Sequence, residues 1–187
     1  MANQALIALG GNLPDGDRSP AETLRAALRR LRELGLAPIS VSRFHATPCF
    51  PAGAGPDYVN AAAVVECGPL TAAEVLATLH RVEAEFGRER LSRWAGRTLD
   101  LDLLAMGGQV LPDAATQAEW RDLPPEAQAR RAPDSLILPH PRLQDRGFVL
   151  VPLADVAPDW CHPVLGLTVR QMLARLPAED LAGITLI

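Results

Sequence analysis

Two helix-start signatures divide the first half of the chain into strand–helix–strand units, and this order restricts the fold more than any other feature. Ser19 with Glu22 three positions later forms a capping box, and Pro20 sits in the first turn, where its missing N–H costs nothing. Thr71 with Glu74 is a second capping box. The first helix is expected to reach about Glu33, with Leu24, Ala27, Leu28 and Leu31 on one face. The second is expected to reach about Phe86, with Val75, Leu76, Leu79 and Val82 apolar. The runs from Gln4 to Leu9, Ala37 to Phe44, Tyr58 to Glu66 and Arg97 to Leu104 read as strands. Strand, helix, strand, strand, helix, strand is the βαββαβ order of a ferredoxin-like α+β fold. That fold is an antiparallel sheet with its helices on one face.

At 187 residues the chain is expected to be a single domain over 1–187, with no internal repeat. After Gly107-Gly108 the character changes. Residues 112 to 133 are polar and rich in breakers, and read as an excursion with short helices around Thr116 to Arg121 and Pro125 to Arg130. The C-terminal part is expected to be helical and peripheral, with a helix near Val169 to Leu176.

A net charge of −4 argues against nucleic acid as a partner. No apolar run approaches the ~20 residues of a membrane span, and no signal peptide is visible, so neither membrane nor secretion is expected. Cys49, Cys67 and Cys161 are few, odd in number and scattered, which points to a reducing cytoplasm without a disulfide or zinc framework. All 18 basic residues are arginine, so any anion site must use planar guanidinium forks. The expected assembly is a monomer.

The strand from Arg97 to Leu104 carries the chemistry. Side chains two apart share a face, so Asp100 and Asp102 point one way and Leu99, Leu101 and Leu103 the other. Paired carboxylates repel unless a cation lies between them. Mg²⁺ held by one or two carboxylates completes its shell with water and substrate phosphates. The alternative is a solvated face on a half-buried strand. Arg88, Arg90, Arg93 and Arg97 lie immediately before the pair, and guanidinium forks grip phosphate oxygens. Together these are the equipment of phosphoryl chemistry, where charge neutralisation and positioning matter most.

Other features are less specific. Gly10-Gly11-Asn12 follows a strand and precedes a helix, but lacks the third glycine of a dinucleotide fingerprint. It reads as a turn. Phe50, Tyr58, Trp94 and Phe148 fall in or beside breaker-rich loops, where a flat heterocycle would use them; each alone also fits core or loop anchoring. His140 lies between two prolines, with Arg142 and Arg146 nearby, and suits either a phosphate contact or a loop anchor. His45, His80 and His162 show no ligand spacing and read as structural or surface residues.

The ordered motifs Gly10-Gly11-Asn12, Phe44-x-x-Thr47-Pro48, Pro56-Asp57-Tyr58-Val59-Asn60, Arg81-Val82-Glu83 with Gly87-Arg88, Arg93-Trp94-x-x-Arg97-Thr98-Leu99-Asp100-Leu101-Asp102, and Leu138-Pro139-His140 with Arg146-Gly147-Phe148 span most of the chain. In them the sequence resembles the 6-hydroxymethyl-7,8-dihydropterin pyrophosphokinase family of folate biosynthesis. The resemblance implies transfer of the pyrophosphoryl group of ATP to the pterin hydroxymethyl group, with release of AMP. It implies two Mg²⁺ ions on Asp100 and Asp102, with ATP as co-substrate. It places the pterin between Phe148 and Tyr58, with Thr47, Pro48, Phe50, Asn60 and Trp94 around it. Glu83, Arg90, Trp94, Arg97, His140 and Arg146 are similar to the family's ATP-side residues. Arg88 and Arg97 are the expected stabilisers of the transferring group, and the loops Thr47 to Pro56 and Arg88 to Ala95 are expected to close over the substrates.

The chain departs from the family pattern in places. The arginine loop is one residue shorter, and Ala95-Gly96 stands where Gly-Pro is usual. The 112–133 segment replaces a tight turn. Ser135, Ile137 and Pro141 stand where an arginine, a threonine and a tyrosine are common. The segment reads as a surface decoration, with Arg130 or Arg131 as the alternative source of the missing charge. Two other functions compete: a metal-dependent nucleotidyl transferase palm, and a non-catalytic nucleotide- or pterin-binding module. The acidic charge disfavours the first. The aspartate pair with its arginines disfavours the second.

Overall fold

In the computed structural model, residues 3–49, 55–87 and 97–187 are described. The chain runs β1 (Gln4–Gly11), α1 (Pro20–Glu33), β2 (Ala37–Val41), β3 (His45–Thr47), β4 (Tyr58–Glu66), α2 (Ala72–Glu85), β5 (Asp100–Met106), α3 (Ala114–Arg121), α4 (Pro125–Arg130), a 3-10 turn (Leu143–Asp145), α5 (Gly147–Val156), α6 (Val169–Leu173), α7 (Ala178–Leu181) and β6 (Thr185–Leu186). The sheet order is β5-β1-β4-β3-β6, with β2 also on β4, and each pairing is antiparallel. This is the expected α+β arrangement.

Both capping boxes form. Ser19 and Thr71 accept from the amides of Glu22 and Glu74, whose carboxylates reach back to the cap amides at 2.8 Å. Each cap contributes about 1 kcal/mol. The apolar faces of α1 and α2 then bury Leu24, Leu31, Val75 and Leu79 against Ile7, Leu9, Ala61, Ala63, Leu101 and Leu103 of the sheet. Each large aliphatic side chain so buried contributes about 1.5–3 kcal/mol.

Five expectations are corrected. Helices cover both faces of the sheet. Val149, Leu150 and Leu153 of α5 and Val169 and Met172 of α6 close a second core on Leu6, Ala62, Val64 and Leu104. This face was hidden in the sequence because β1 and β4 are apolar on both sides. The C-terminal part is therefore integral, and β6 adds an edge to β3. The run from Ala37 to Phe44 is not one strand. At Ser42 the hydroxyl takes over the ladder, accepting from the Ala62 amide and donating to the Arg43 carbonyl, before β3 begins. Gly10 and Gly11 are strand residues and not a turn. A Cβ at Gly11 would lie 2.5 Å from the Thr98 carbonyl oxygen, and one at Gly10 would lie 2.8 Å from Asn60 Oδ1. Glycine is needed there because backbone and side chain approach closely.

The 112–133 segment docks onto the backbone that leads to His140. Leu111 and Leu138 exchange backbone hydrogen bonds of 2.9 and 3.1 Å, and the buried Gln117 donates to the Pro139 carbonyl at 3.2 Å. The segment is thus more than an external decoration. Arg131 stacks on Trp120 and reaches Glu119 of α3. No helix among the described residues is long and apolar enough to cross a membrane.

Candidate active site

Strand register builds the site. Gly10 pairs with Asn60 of β4 on one side and Asp100 of β5 on the other, and Ala8 pairs with Ala62 and Asp102. Residues in one row of an antiparallel sheet share a face, here the face covered further along by α5. Gly10, Ala8 and Ala62 project almost nothing from it. They leave a flat floor about 10 Å wide, two strand spacings, between the amide and the carboxylates.

On the β4 side, Asn60 donates to Thr47 Oγ at 2.7 Å, and both are buried. His45 pairs with Asn60, and Thr47 with Tyr58, so these side chains share the face. Burial pushes the Tyr58 phenol up, and nearby Arg97 opposes it.

On the β5 side, Asp100 and Asp102 are half-exposed neighbours on one face, as expected. Arg97 donates to Asp100. The Arg146 guanidinium stands 3.9 Å from Asp102 and 5.6 Å from the Phe148 ring centroid. Burial pulls the Arg146 pKa down, and Asp102 opposes that pull. His140 is held in place by its amide, which donates to the Leu104 carbonyl at 2.8 Å. Its Nδ1 accepts from the Arg142 amide at 3.1 Å. Burial lowers its pKa to about 4, aided by Arg146 and Arg142 and opposed by Asp102. The ring is therefore neutral at pH 7 and carries its proton on Nε2, as a donor without charge.

Most of the sequence-predicted residues converge. Arg97, Asp100, Asp102 and Arg146 form one charged cluster with the neutral His140 ring, and Phe148 lies beside it. Thr47, Tyr58 and Asn60 share the same face on the far side of the floor, and Pro48 follows Thr47. Glu83 lies apart. It is buried, and its carboxylate accepts from the Leu101 amide at 2.8 Å, so here it holds the strand that carries the aspartates. Phe50, Arg88, Arg90 and Trp94, and most of the two expected closing loops, lie outside the described residues.

Sequence reasoning underrated Asn12. It is buried, takes the Arg97 amide on Oδ1 at 2.8 Å and donates to the Pro56 carbonyl at 3.1 Å. Its own amide and that of Leu13 donate to the Arg97 carbonyl. It thereby ties the start of β4 to the residue beside Asp100. The signal was present in Gly10-Gly11-Asn12, but a glycine pair suggests a turn before it suggests close packing.

Among the described residues no three metal-ligating side chains cluster. Two half-exposed carboxylates on one face fit Mg²⁺, whose remaining positions suit water and phosphate oxygens. Such a pair, flanked by guanidiniums and a neutral imidazole donor, defines a class: an enzyme that neutralises and positions phosphate for transfer.

Residues 6–158 match the family model for 7,8-dihydro-6-hydroxymethylpterin-pyrophosphokinase. The chain belongs to this family, and is an ATP-dependent diphosphokinase that passes pyrophosphoryl to hydroxymethyldihydropterin in folate synthesis. A 2-amino-4-hydroxy-6-hydroxymethyldihydropteridine pyrophosphokinase of Pseudomonas aeruginosa is 36% identical over 184 residues, 97% of this chain and 96% of its own. One from Haemophilus influenzae is 35% identical, covering 85% of this chain and 84% of its own. A solved structure of Plasmodium falciparum HPPK-DHPS shares the fold, with a TM-score of 0.64 at 16% identity; the match covers 94% of this chain and 45% of that longer one.

Proposed function

We propose that the two substrates divide along the Asn60–Gly10–Asp100 row, the pterin on the Asn60 side and the ATP triphosphate on the Asp100 side. The observation that carries this is the register of Gly10 with both residues across a floor without side chains. The Asn60 amide offers donor and acceptor to a pterin edge. Tyr58 and Phe148 give the ring its flat contacts, and Thr47, Pro48, Phe50 and Trp94 complete the pocket. Arg90, Arg97, His140, Arg146 and Trp94 serve ATP. Glu83 acts on the same side through the β5 backbone.

Two Mg²⁺ ions on Asp100 and Asp102 would neutralise the triphosphate and polarise the phosphoryl oxygens. The residues of the chain supply the rest. The pterin hydroxymethyl oxygen attacks the β-phosphorus, the bond from that phosphorus to the oxygen of the α-phosphate breaks, and AMP leaves while the hydroxyl proton passes to solvent. Arg88 and Arg97 stabilise charge on the transferring group. His140 donates from Nε2 without adding a cation, and Arg146 opposes the charge of Asp102. No described residue is placed as a dedicated base, so catalysis rests on positioning and charge. The chain works as a single-domain monomer, and in the cytoplasm, a compartment its free cysteines support.

One assay separates the readings. With ATP, Mg²⁺ and 6-hydroxymethyl-7,8-dihydropterin, AMP should appear in step with added pterin. Formation of ADP, or AMP without pterin, contradicts the proposal. Binding of both ligands without turnover favours the non-catalytic module.

A further inference from the structure

The segment Asp180–Ile187 touches both sides of the proposed pterin site. On one side β6 pairs with β3, Thr185 with Ala46 and Leu186 with His45, and the Ile187 amide donates to the Phe44 carbonyl at 3.0 Å. Strand β3 ends in Thr47, the partner of Asn60, and Pro48 follows. Gly183 closes on that proline: a Cβ there would lie 2.6 Å from Pro48 Cγ. Gly183 also has φ +77°, a conformation L side chains rarely adopt. On the other side the segment meets Gly147, the residue before Phe148. A Cβ on Gly147 would overlap the Asp180 carbonyl oxygen and come within 3.2 Å of Ile184 Cδ1. Eight consecutive residues thus connect the Thr47–Pro48 edge to the helix start that carries Phe148.

We propose that Asp180–Ile187 is a positioning segment for the pterin: it sets the distance between the Thr47–Pro48 edge and Phe148, and so determines pterin affinity. This rests on the pterin assignment above. Asp100 and Asp102 lie two strands away from β4 on the opposite edge, and no contact of the segment reaches them among the described residues. Its effect should therefore be confined to one substrate. A general structural role would weaken both.

The test measures equilibrium binding of 6-hydroxymethyl-7,8-dihydropterin and of a non-hydrolysable ATP analogue with Mg²⁺, each separately, alongside thermal unfolding. The variants are Gly183→Ala, Thr185→Pro and Phe148→Ala. Gly183→Ala pushes on Pro48, and Thr185→Pro removes a β6 amide from the pairing with β3. Each should raise the pterin Kd about tenfold, as expected for a site loosened by part of an ångström, and leave the analogue Kd within about twofold. Equal weakening of both ligands in the folded variants overturns the proposal, as does unchanged pterin binding while Phe148→Ala loses it. If Phe148→Ala itself binds pterin normally, the pterin assignment fails and this inference with it. Two variants acting on different contacts keep the test decisive if one of them does not fold.

Discussion

Replacing Gly11 by alanine should damage stability and catalysis together, through one backbone contact. The new Cβ would lie 2.5 Å from the Thr98 carbonyl oxygen, and ordinary contact starts at 3.4 Å, so β1 and the Arg97–Thr98 backbone must separate by roughly 0.9 Å. Three hydrogen bonds cross that gap: Asn12 and Leu13 amides to the Arg97 carbonyl at 2.9 and 3.1 Å, and the Arg97 amide to Asn12 Oδ1 at 2.8 Å. Overpacking of this kind costs about 1–3 kcal/mol, and each distorted hydrogen bond adds up to about 1 kcal/mol. A total of about 3 kcal/mol lowers Tm by about 6–12 °C in a chain of this size. Arg97 moves with its backbone, and a displacement near 1 Å costs on the order of 10² in kcat. The assay is thermal unfolding plus pterin-dependent AMP formation. Gly108→Ala is the control: nothing lies within 4 Å of its Cβ, so its effect should stay within about 0.5 kcal/mol. A Gly11→Ala protein with a Tm within about 2 °C of the parent and undiminished kcat would refute the reasoning.

Other outcomes follow from the same geometry. Asp102→Ala should keep detectable pterin binding and lose most turnover; near-normal kcat would remove it as a metal ligand. Arg97→Ala should lose about 2–4 kcal/mol of transition-state stabilisation, read from kcat/KM, as for one preorganised donor. Glu83→Ala leaves the Leu101 amide buried without its carboxylate acceptor and should cost about 1–3 kcal/mol in denaturant unfolding, with Glu83→Gln milder. His162 is fully buried, its Nδ1 accepts from the Val164 and Leu165 amides, and burial with help from Arg121 lowers its pKa from 6.5 to about 4. Below pH 6.5 the unfolded chain takes up this proton first, so stability falls as pH drops toward 4 and is flat above 6.5. The loss is on the order of 3 kcal/mol, measured as the difference from His162→Asn across that range.

The sequence revealed the elements that follow local rules. Two capping boxes marked α1 and α2, and period-two alternation put Asp100 and Asp102 on one face. What it hid depends on contacts between distant residues. Nothing local separates Gly10 and Gly11 in a crowded strand from the same pair in a turn; the Asn60 side chain and the Thr98 carbonyl decide it. Leu6, Ala62 and Val64 look like ordinary buried strand residues until α5 and α6 close over them. Glu83 is expected from the family resemblance on the ATP side, and its burial is settled by the Leu101 amide across the fold. Thr185-Leu186 is too short to read as a strand without β3 beside it. His140 stands out in the sequence between its two prolines, but its neutral state depends on burial and on Arg142 and Arg146.

The division of the substrates is tested most directly by paired binding measurements on Asn60→Ala and Asp100→Ala. Titration with 6-hydroxymethyl-7,8-dihydropterin and with a non-hydrolysable ATP analogue plus Mg²⁺ gives four dissociation constants to compare with the parent. Asn60→Ala should weaken the pterin and leave the nucleotide, and Asp100→Ala should do the reverse. If both variants weaken the same ligand, or exchange their effects, the Asn60–Gly10–Asp100 row does not separate pterin from triphosphate.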